Sequence, residues 1–240
     1  MKGPLFYSKI LLFGEYGIIE DSKGLSIPYN FFNGALKFSK GEIEDSKKSN
    51  KILQKFHRYL AEIHDLQLDL NKFENDLNKG IYFDSSIPQG YGVGSSGAIV
   101  AAVYDKYALN KIKVSENLNR NKLLDLRNIF SQMESFFHGK SSGLDPLNSY
   151  LSIPILIESK NKIGVTGIPI EKVNGEGAIF LLDSGQMGST ASMVEIFMKK
   201  MKDEGFRKMI NAKFITHTNS CVDSFLKGDL KNLFRSSCKS

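Results

Sequence analysis

Between Ile87 and Ala108 the chain reads IPQGYGVGSSGAIVAAVYDKYA, and no other stretch limits the fold as much. Pro88 removes a backbone donor, and Gly90, Gly92 and Gly94 alternate, so no regular element runs through to Gly94. Ser95 or Ser96 is then a natural helix N-cap. The residues after it are small and apolar, which predicts a deeply buried helix that starts next to the loop. Such a turn is an anion site. Glycines let the backbone approach closely and turn its N–H groups inward, while the helix N-terminus adds unpaired donors and a partial positive charge. Phosphate suits it best; a tight structural turn is the plain alternative.

Two known loops do not fit. A P-loop needs GxxxxGK[ST], and no lysine follows these glycines. The dinucleotide fingerprint GxGxxG is present as Gly92, Gly94 and Gly97. It requires an acidic residue about 20 positions on, ending the next strand. Glu116 stands near that offset, but in a polar stretch with no strand before it.

Around the loop the pattern is mixed. Tyr7–Phe13, Ser26–Phe32, Ile81–Ile87, Tyr150–Glu158 and Glu176–Asp183 read as strands, with a weaker one near Lys162–Ile168. The charged stretch Ser39–Asn50 lacks periodicity and reads as a loop or hairpin tip. Lys51–His64, Asn119–His138, Thr190–Lys202 and Phe206–Lys227 show helical spacing. Strands and helices do not alternate regularly, which favours α+β over a doubly wound sheet. A domain boundary falls most naturally around Pro169–Gly177, dividing residues 1–172 from 173–240.

Composition narrows the classes. The 240 residues are 41% hydrophobic and 24% charged, as in globular proteins, which excludes disorder and fibre. No stretch approaches the ~18 apolar residues of a membrane span. The N-terminus, MKGPLFYSK, has no signal-peptide core, so the expected location is the cytoplasm. Cys221 and Cys238 cannot build a disulfide framework and read as reduced structural thiols. The net charge of +6 permits nucleic-acid binding. Yet the lysine groups Lys47, Lys48, Lys51 and Lys199, Lys200, Lys202 sit on polar or amphipathic stretches and read as solvated faces. No nucleic-acid motif accompanies them.

Two side chains stand out on the pattern alone, and a third is ambiguous. Glu134 shares a helix face with Leu126, Phe130 and Phe137, and a carboxylate on an apolar stripe must be paired or metal-bound. Lys9 lies mid-strand beside Leu11 and Phe13, where an amine is unusual unless it faces a site; a snorkelling lysine is the alternative. Asp145 follows a GKSSG turn, where an aspartate is often only a cap. His57, His64 and His217 lie on amphipathic helices and read as surface or packing residues.

PQGYGVGSS resembles the PxxxGLGSS phosphate loop of the GHMP kinases. Three more segments match in order. KILLFGEYGII, Lys9–Ile19, looks like the family's N-terminal motif. ESFFHGKSSGLD, Glu134–Asp145, resembles the segment ExxxHGxPSGxD of its mevalonate kinase branch. DSGQMGSTASMV, Asp183–Val194, is similar to a later substrate-side stretch. The resemblance implies an N-terminal domain of the ribosomal S5 domain 2-like fold and a ferredoxin-like C-terminal domain. It implies ATP held by Gly90, Tyr91, Gly92, Val93, Gly94, Ser95 and Ser96, and Mg²⁺ on Ser96 and Glu134. Asp145 would accept or orient the acceptor hydroxyl's proton, with Lys9 beside it. Glu15, Tyr16, His138 and Thr190 would face the substrate. The implied reaction is ATP-dependent phosphorylation of a small alcohol, most naturally mevalonate, and a homodimer is compatible with it. A sister kinase, such as phosphomevalonate kinase, and a non-catalytic nucleotide-binding remnant are the alternatives.

The match departs in three places. The family's third glycine motif, of the type GAGxGG, does not occur before Ser240, so the C-terminal domain is expected to be incomplete. Gly97 stands where alanine is usual and Ser141 where proline is common; both changes read as conservative.

Overall fold

The computed structural model describes residues 3–39, 41, 44–114, 118–169, 181–182, 185, 188, 190–229 and 231–233. Its packing divides the chain into two units. The first comprises Met1–Ile10, Pro28–Pro88 and Val93–Ser152; the second comprises Leu11–Ile27, Gln89–Gly92 and Ile153–Ser240. Both mix helices with antiparallel strands, as the α+β expectation requires.

In the first unit, strand β1 (Phe6–Phe13) lies next to β2 (Gly24–Phe38), whose distal half pairs antiparallel with β3 (Ile81–Ser85). Helix α1 (Glu44–Ala61) packs on β3 and on α2 (Leu70–Asn78). Its apolar stripe, Leu53, Phe56 and Leu60, is buried. The expected loop at Ser39–Asn50 is largely the first turns of α1, because its polar side chains serve backbone groups rather than water. Ser49 Oγ donates to the Phe83 carbonyl at 3.0 Å and accepts its N–H at 2.9 Å. Asn50 donates to the carbonyls of Leu77 and Ile81. The pattern also missed α2, which Asp69 caps by accepting from Lys72 N–H.

Helix α3 (Ser95–Tyr107) is the buried post of this unit. Ala98, Val100, Ala101, Ala102 and Val103 are essentially inaccessible, as the small-residue run predicts. Against it lie α4 (Arg120–His138), capped by Asn119, and the short α5 (Leu144–Leu151). Tyr104, Phe130 and Tyr150 meet edge to face with centroids 5.0–5.6 Å apart. The sequence pattern placed a strand at Tyr150, but that residue ends α5. Pro146 is tolerated there because it occupies the first turn, where no helical N–H is needed.

In the second unit, Gly24–Ser26 of β2 pair antiparallel with β4 (Ile155–Ser159), and β4 pairs with β5 (Lys162–Val165). Helices α6 (Thr190–Lys200), α7 (Glu204–Met209) and α8 (Thr216–Leu226) follow, with a π-helical segment, Ile210–Ile215, joining the last two. The helix expected over Phe206–Lys227 is thus present, with a π-helical stretch inside it. Phe197, Met201 and Ile210 form the local core, against which Tyr16, Ile19, Phe206 and Phe214 pack. The expected strand at Glu176–Asp183 and the boundary near Pro169–Gly177 lie almost wholly outside the described residues. Cys221 is buried, and Cys238 lies outside the described residues. Among the described residues no helix is long and apolar enough to cross a membrane.

Gly97 decides how closely α5 approaches α3. A Cβ there would stand 2.7 Å from the carbonyl carbon of Asp145 and 2.8 Å from Pro146 N. Both are backbone atoms and cannot turn aside. The conservative reading of this glycine is therefore corrected. Gly97→Ala should destabilise the protein by about 1–3 kcal/mol despite the better helix propensity of alanine. A lowered urea midpoint is the expected measurement; an unchanged or raised midpoint would mean the two helices have room to separate.

Candidate functional site

The glycine loop folds as its alternation demands. Gly90, Gly92 and Gly94 all adopt the left-handed conformation, with φ of 80°, 70° and 82°. The Gly90 carbonyl accepts from Gly188 N–H at 2.9 Å, and the Val93 carbonyl accepts from Lys9 N–H at 3.0 Å. Gly94, not a serine, is the N-cap of α3, and no side chain caps this helix. The expectation of a serine cap is corrected. The Ser96 hydroxyl faces sideways instead, and the first N–H groups of α3 keep no carbonyl partner within the helix.

Three positions of that opening turn each touch one part of a polar cluster in the first unit. At Gly94 the missing Cβ makes room for Lys9, whose Cγ would lie 3.0 Å from it. Ser96 Oγ donates to Glu134 Oε1 at 3.0 Å. At Gly97 the backbone of Asp145 comes within reach of where a side chain would begin. Lys9, Ser96, Glu134 and Asp145, far apart in sequence, thus surround one helix N-terminus.

Lys9 runs from β1 with only 8% of its surface exposed. Its Nζ meets Asp145 Oδ1 at 2.9 Å, where the aspartate side chain is 35% exposed. The amine lies beneath and the carboxylate looks outward. Asp145 sits in the first turn of α5, behind Gly143, whose φ of 73° starts the helix in a left-handed bend. The snorkelling alternative for Lys9 and the simple cap for Asp145 do not describe this pair.

Glu134 is 3% exposed on α4, beside Phe130 and Met133. Ser96 holds one of its oxygens and Ser141 Oγ donates to the other. His138, one turn on and exposed, has Nε2 2.9 Å from Ser96 Oγ. The serine's single proton goes to Glu134, so the imidazole N–H donates to the serine. Burial is the main cause pushing the Glu134 carboxyl up to about 7, with the negative charge of Asp145 adding to it. The two serine hydrogen bonds and the Lys9 charge pull the other way.

Among the described residues no cluster of three or more His, Cys, Asp or Glu is disposed to hold a metal by itself. Ser96 and Glu134 nevertheless fit a hard cation that brings water and phosphate oxygens with it. They supply two oxygen donors on one side of a helix N-terminus, and a buried carboxylate that a cation would return to its charged form.

The remaining expected residues belong to the second unit. Glu15 lines a cavity of about 260 Å³ with Phe13, Phe214, His217, Thr218 and Cys221. Tyr16 adopts a strained φ of 60° and stacks on Phe197 at 5.3 Å. Thr190 opens α6, and its side chain lies outside the described residues. His217, expected as a surface or packing residue, is half-buried and lines that cavity. The Ser141 contact was missed, although a serine within a few residues of a buried glutamate is a signal that could have been read.

Residues 51–152 match the family described as the GHMP kinases N terminal domain. Solved structures of similar fold include the L. major mevalonate kinase in complex with R-mevalonate, with a TM-score of 0.56 at 18% identity over 98% of this chain and 75% of that one. The Methanococcus jannaschii mevalonate kinase gives 0.55 at 15% identity, covering 98% of this chain and 77% of that chain. Another mevalonate kinase gives 0.52 at 15%, over 97% and 76%. No curated protein matches the sequence.

The raised Glu134 value yields a stability prediction. A carboxyl whose folded value lies above its unfolded one favours folding at low pH, and that advantage is lost as pH rises through about 7. Without metal, Glu134→Gln should therefore stabilise the protein at pH 8, on the order of 2 kcal/mol, and change little at pH 5. Thermal unfolding in chelator at both pH values checks this; equal shifts at both would remove the electrostatic cause.

Proposed function

We propose that the chain, whose residues 51–152 match the N-terminal domain of the GHMP kinases and whose fold is similar to that of mevalonate kinases, is an ATP- and Mg²⁺-dependent kinase for a small alcohol, with mevalonate the favoured acceptor. One observation carries the reading: a lysine–aspartate pair and a serine–glutamate pair flank the same helix N-terminus. Phosphoryl transfer asks for charge neutralisation, in-line positioning and a destination for the acceptor's proton. These residues supply all three.

The loop amides of Gly90, Tyr91, Gly92, Val93, Gly94, Ser95 and Ser96 hold the nucleotide phosphates, helped by the positive end of α3. Ser96 and Glu134 would hold Mg²⁺, which when bound would neutralise phosphate charge. Asp145, the more exposed partner of its ion pair, receives the acceptor's hydroxyl proton. As that proton leaves, the alcohol oxygen bonds to the γ-phosphorus and the bond to the β-bridging oxygen breaks, releasing ADP. Lys9 fixes the rotamer of Asp145 and stabilises negative charge developing on the alcohol oxygen. In the second unit Glu15, Tyr16 and Thr190 are the acceptor-side candidates. His138 is assigned to Ser96 rather than to the substrate, because their hydrogen bond already employs its Nε2. The similarity of HGKSSGLD to the mevalonate kinase segment favours mevalonate over galactose or homoserine.

Coupled ADP release on mevalonate, phosphomevalonate, galactose and homoserine tests the proposal. Asp145→Asn keeps the shape and the contact to Lys9 but cannot take a proton. It should lower kcat by about 10²–10⁴-fold while nucleotide affinity stays near that of the parent. Glu134→Gln should abolish turnover and weaken the Mg²⁺ dependence. Full activity in either variant would remove its assigned role.

A further inference from the structure

The proposed chemistry does not use Ser141, yet three hydrogen bonds converge on it. Its hydroxyl donates to Glu134 Oε2. The same oxygen accepts from Gly143 N–H at 3.0 Å. Its carbonyl accepts from Ser131 Oγ, on α4, at 2.6 Å. Gly143 is itself fixed: it carries a positive φ, and a Cβ there would lie 2.2 Å from the Arg127 carbonyl oxygen. One hydroxyl therefore joins the buried carboxylate of α4 to the residue that starts α5, two positions before Asp145.

We infer that Ser141 is a positioning residue that sets the rotation of the Glu134 carboxylate for metal binding and ties it to the start of the helix bearing Asp145. The inference rests on reading Glu134 as the metal ligand. The terminal torsion of a glutamate is broad and roughly two-fold, so a carboxylate held at one oxygen can still swing. With Ser96 on Oε1 and Ser141 on Oε2 it cannot, and each oxygen keeps a further lone pair for a cation. Less freedom is then lost when the metal arrives. Proline, common at this place in the resembling sequences, has no donor to offer, so the device belongs to this chain. A mere loop staple would affect stability alone; a positioning hydroxyl governs metal affinity.

The probe is Mn²⁺, titrated by electron paramagnetic resonance in the presence of a non-hydrolysable ATP analogue. Wild type, Ser141→Ala, Ser141→Thr and Ser142→Ala are compared, with thermal unfolding to confirm that each is folded. Ser141→Ala should weaken Mn²⁺ binding about 10-fold or more, as losses of outer hydrogen bonds to metal ligands do. Ser141→Thr, which keeps the hydroxyl, should restore most of the affinity. Ser142→Ala, an exposed neighbour, should leave it unchanged. Should Ser141→Ala fail to fold, Ser141→Cys takes its place, since a thiol fills the space but donates weakly, and the same loss is expected. A folded Ser141→Ala or Ser141→Cys that binds Mn²⁺ like wild type overturns the inference, as does a threonine variant as weak as the alanine one. Those results would leave the kinase reading intact. A wild-type protein that binds no Mn²⁺–nucleotide would overturn the metal site itself, and this inference with it.

Discussion

The close approach of two helix backbones at Gly97 governs the rest of the first unit. Without a Cβ, the opening turn of α3 lets the Asp145–Pro146 segment of α5 sit where a side chain would begin. Neighbouring positions of that turn accommodate Lys9 at Gly94 and reach Glu134 through Ser96. Were α5 displaced by the width of a methyl group, Asp145 would draw away from an amine that β1 holds in place, and a 2.9 Å ion pair would lengthen. Because protein interiors are close-packed, such a shift has no empty space to absorb it.

The electrostatic design follows from that crowding. Two carboxylates near a helix N-terminus repel each other, and one is almost fully buried. Lys9 offsets the more exposed charge. The buried one has two hydroxyl hydrogen bonds and the more distant Lys9 charge, which together do not hold it at an ordinary value, and burial prevails. A fold selected for stability alone would place a neutral side chain at Glu134. Retaining the acid makes sense when a cation supplies the missing compensation, and this is why the serine–glutamate pair, not the ion pair, is the stronger sign of function.

Much of this was legible in the sequence because its signals are local. Alternating glycines force positive φ, and the small-residue run after them can only be a buried helix. A glutamate on an apolar stripe and a lysine within a strand each announce a partner, although not which one. The order of four motifs along the chain pointed to a family whose N-terminal domain residues 51–152 match. What escaped was set by distant neighbours. The first turns of α1 looked like a loop because Ser49 and Asn50 are polar, and only β3 and the end of α2 explain them. Helix α5 is short and carries a proline at its third position, so its pattern is too brief to separate from a strand. The π-helical stretch before α8 leaves no local trace, yet it joins α7 to the helix that presents His217 and Cys221 to the cavity. Tyr16, expected to face substrate, stacks its ring on Phe197, and the sequence could not have shown that partner.

The two substitutions that looked neutral act on one junction. Gly97 removes a methyl group from the surface α5 leans on, and Ser141 adds a hydroxyl to the loop that leads into α5. The first lets the helix come close; the second ties its leading residue to the carboxylate of α4 through Gly143. Proline at 141 would stiffen the loop through its fixed φ but contribute no contact to Glu134. Serine gives up that intrinsic stiffness and recovers order through two hydrogen bonds of its hydroxyl, one of them to Glu134. A loop made rigid by contacts, unlike one made rigid by a ring, transmits the position of Glu134 to Asp145. On the proposed reading, the carboxylate assigned to the cation and the aspartate assigned to the proton are therefore tied through one loop.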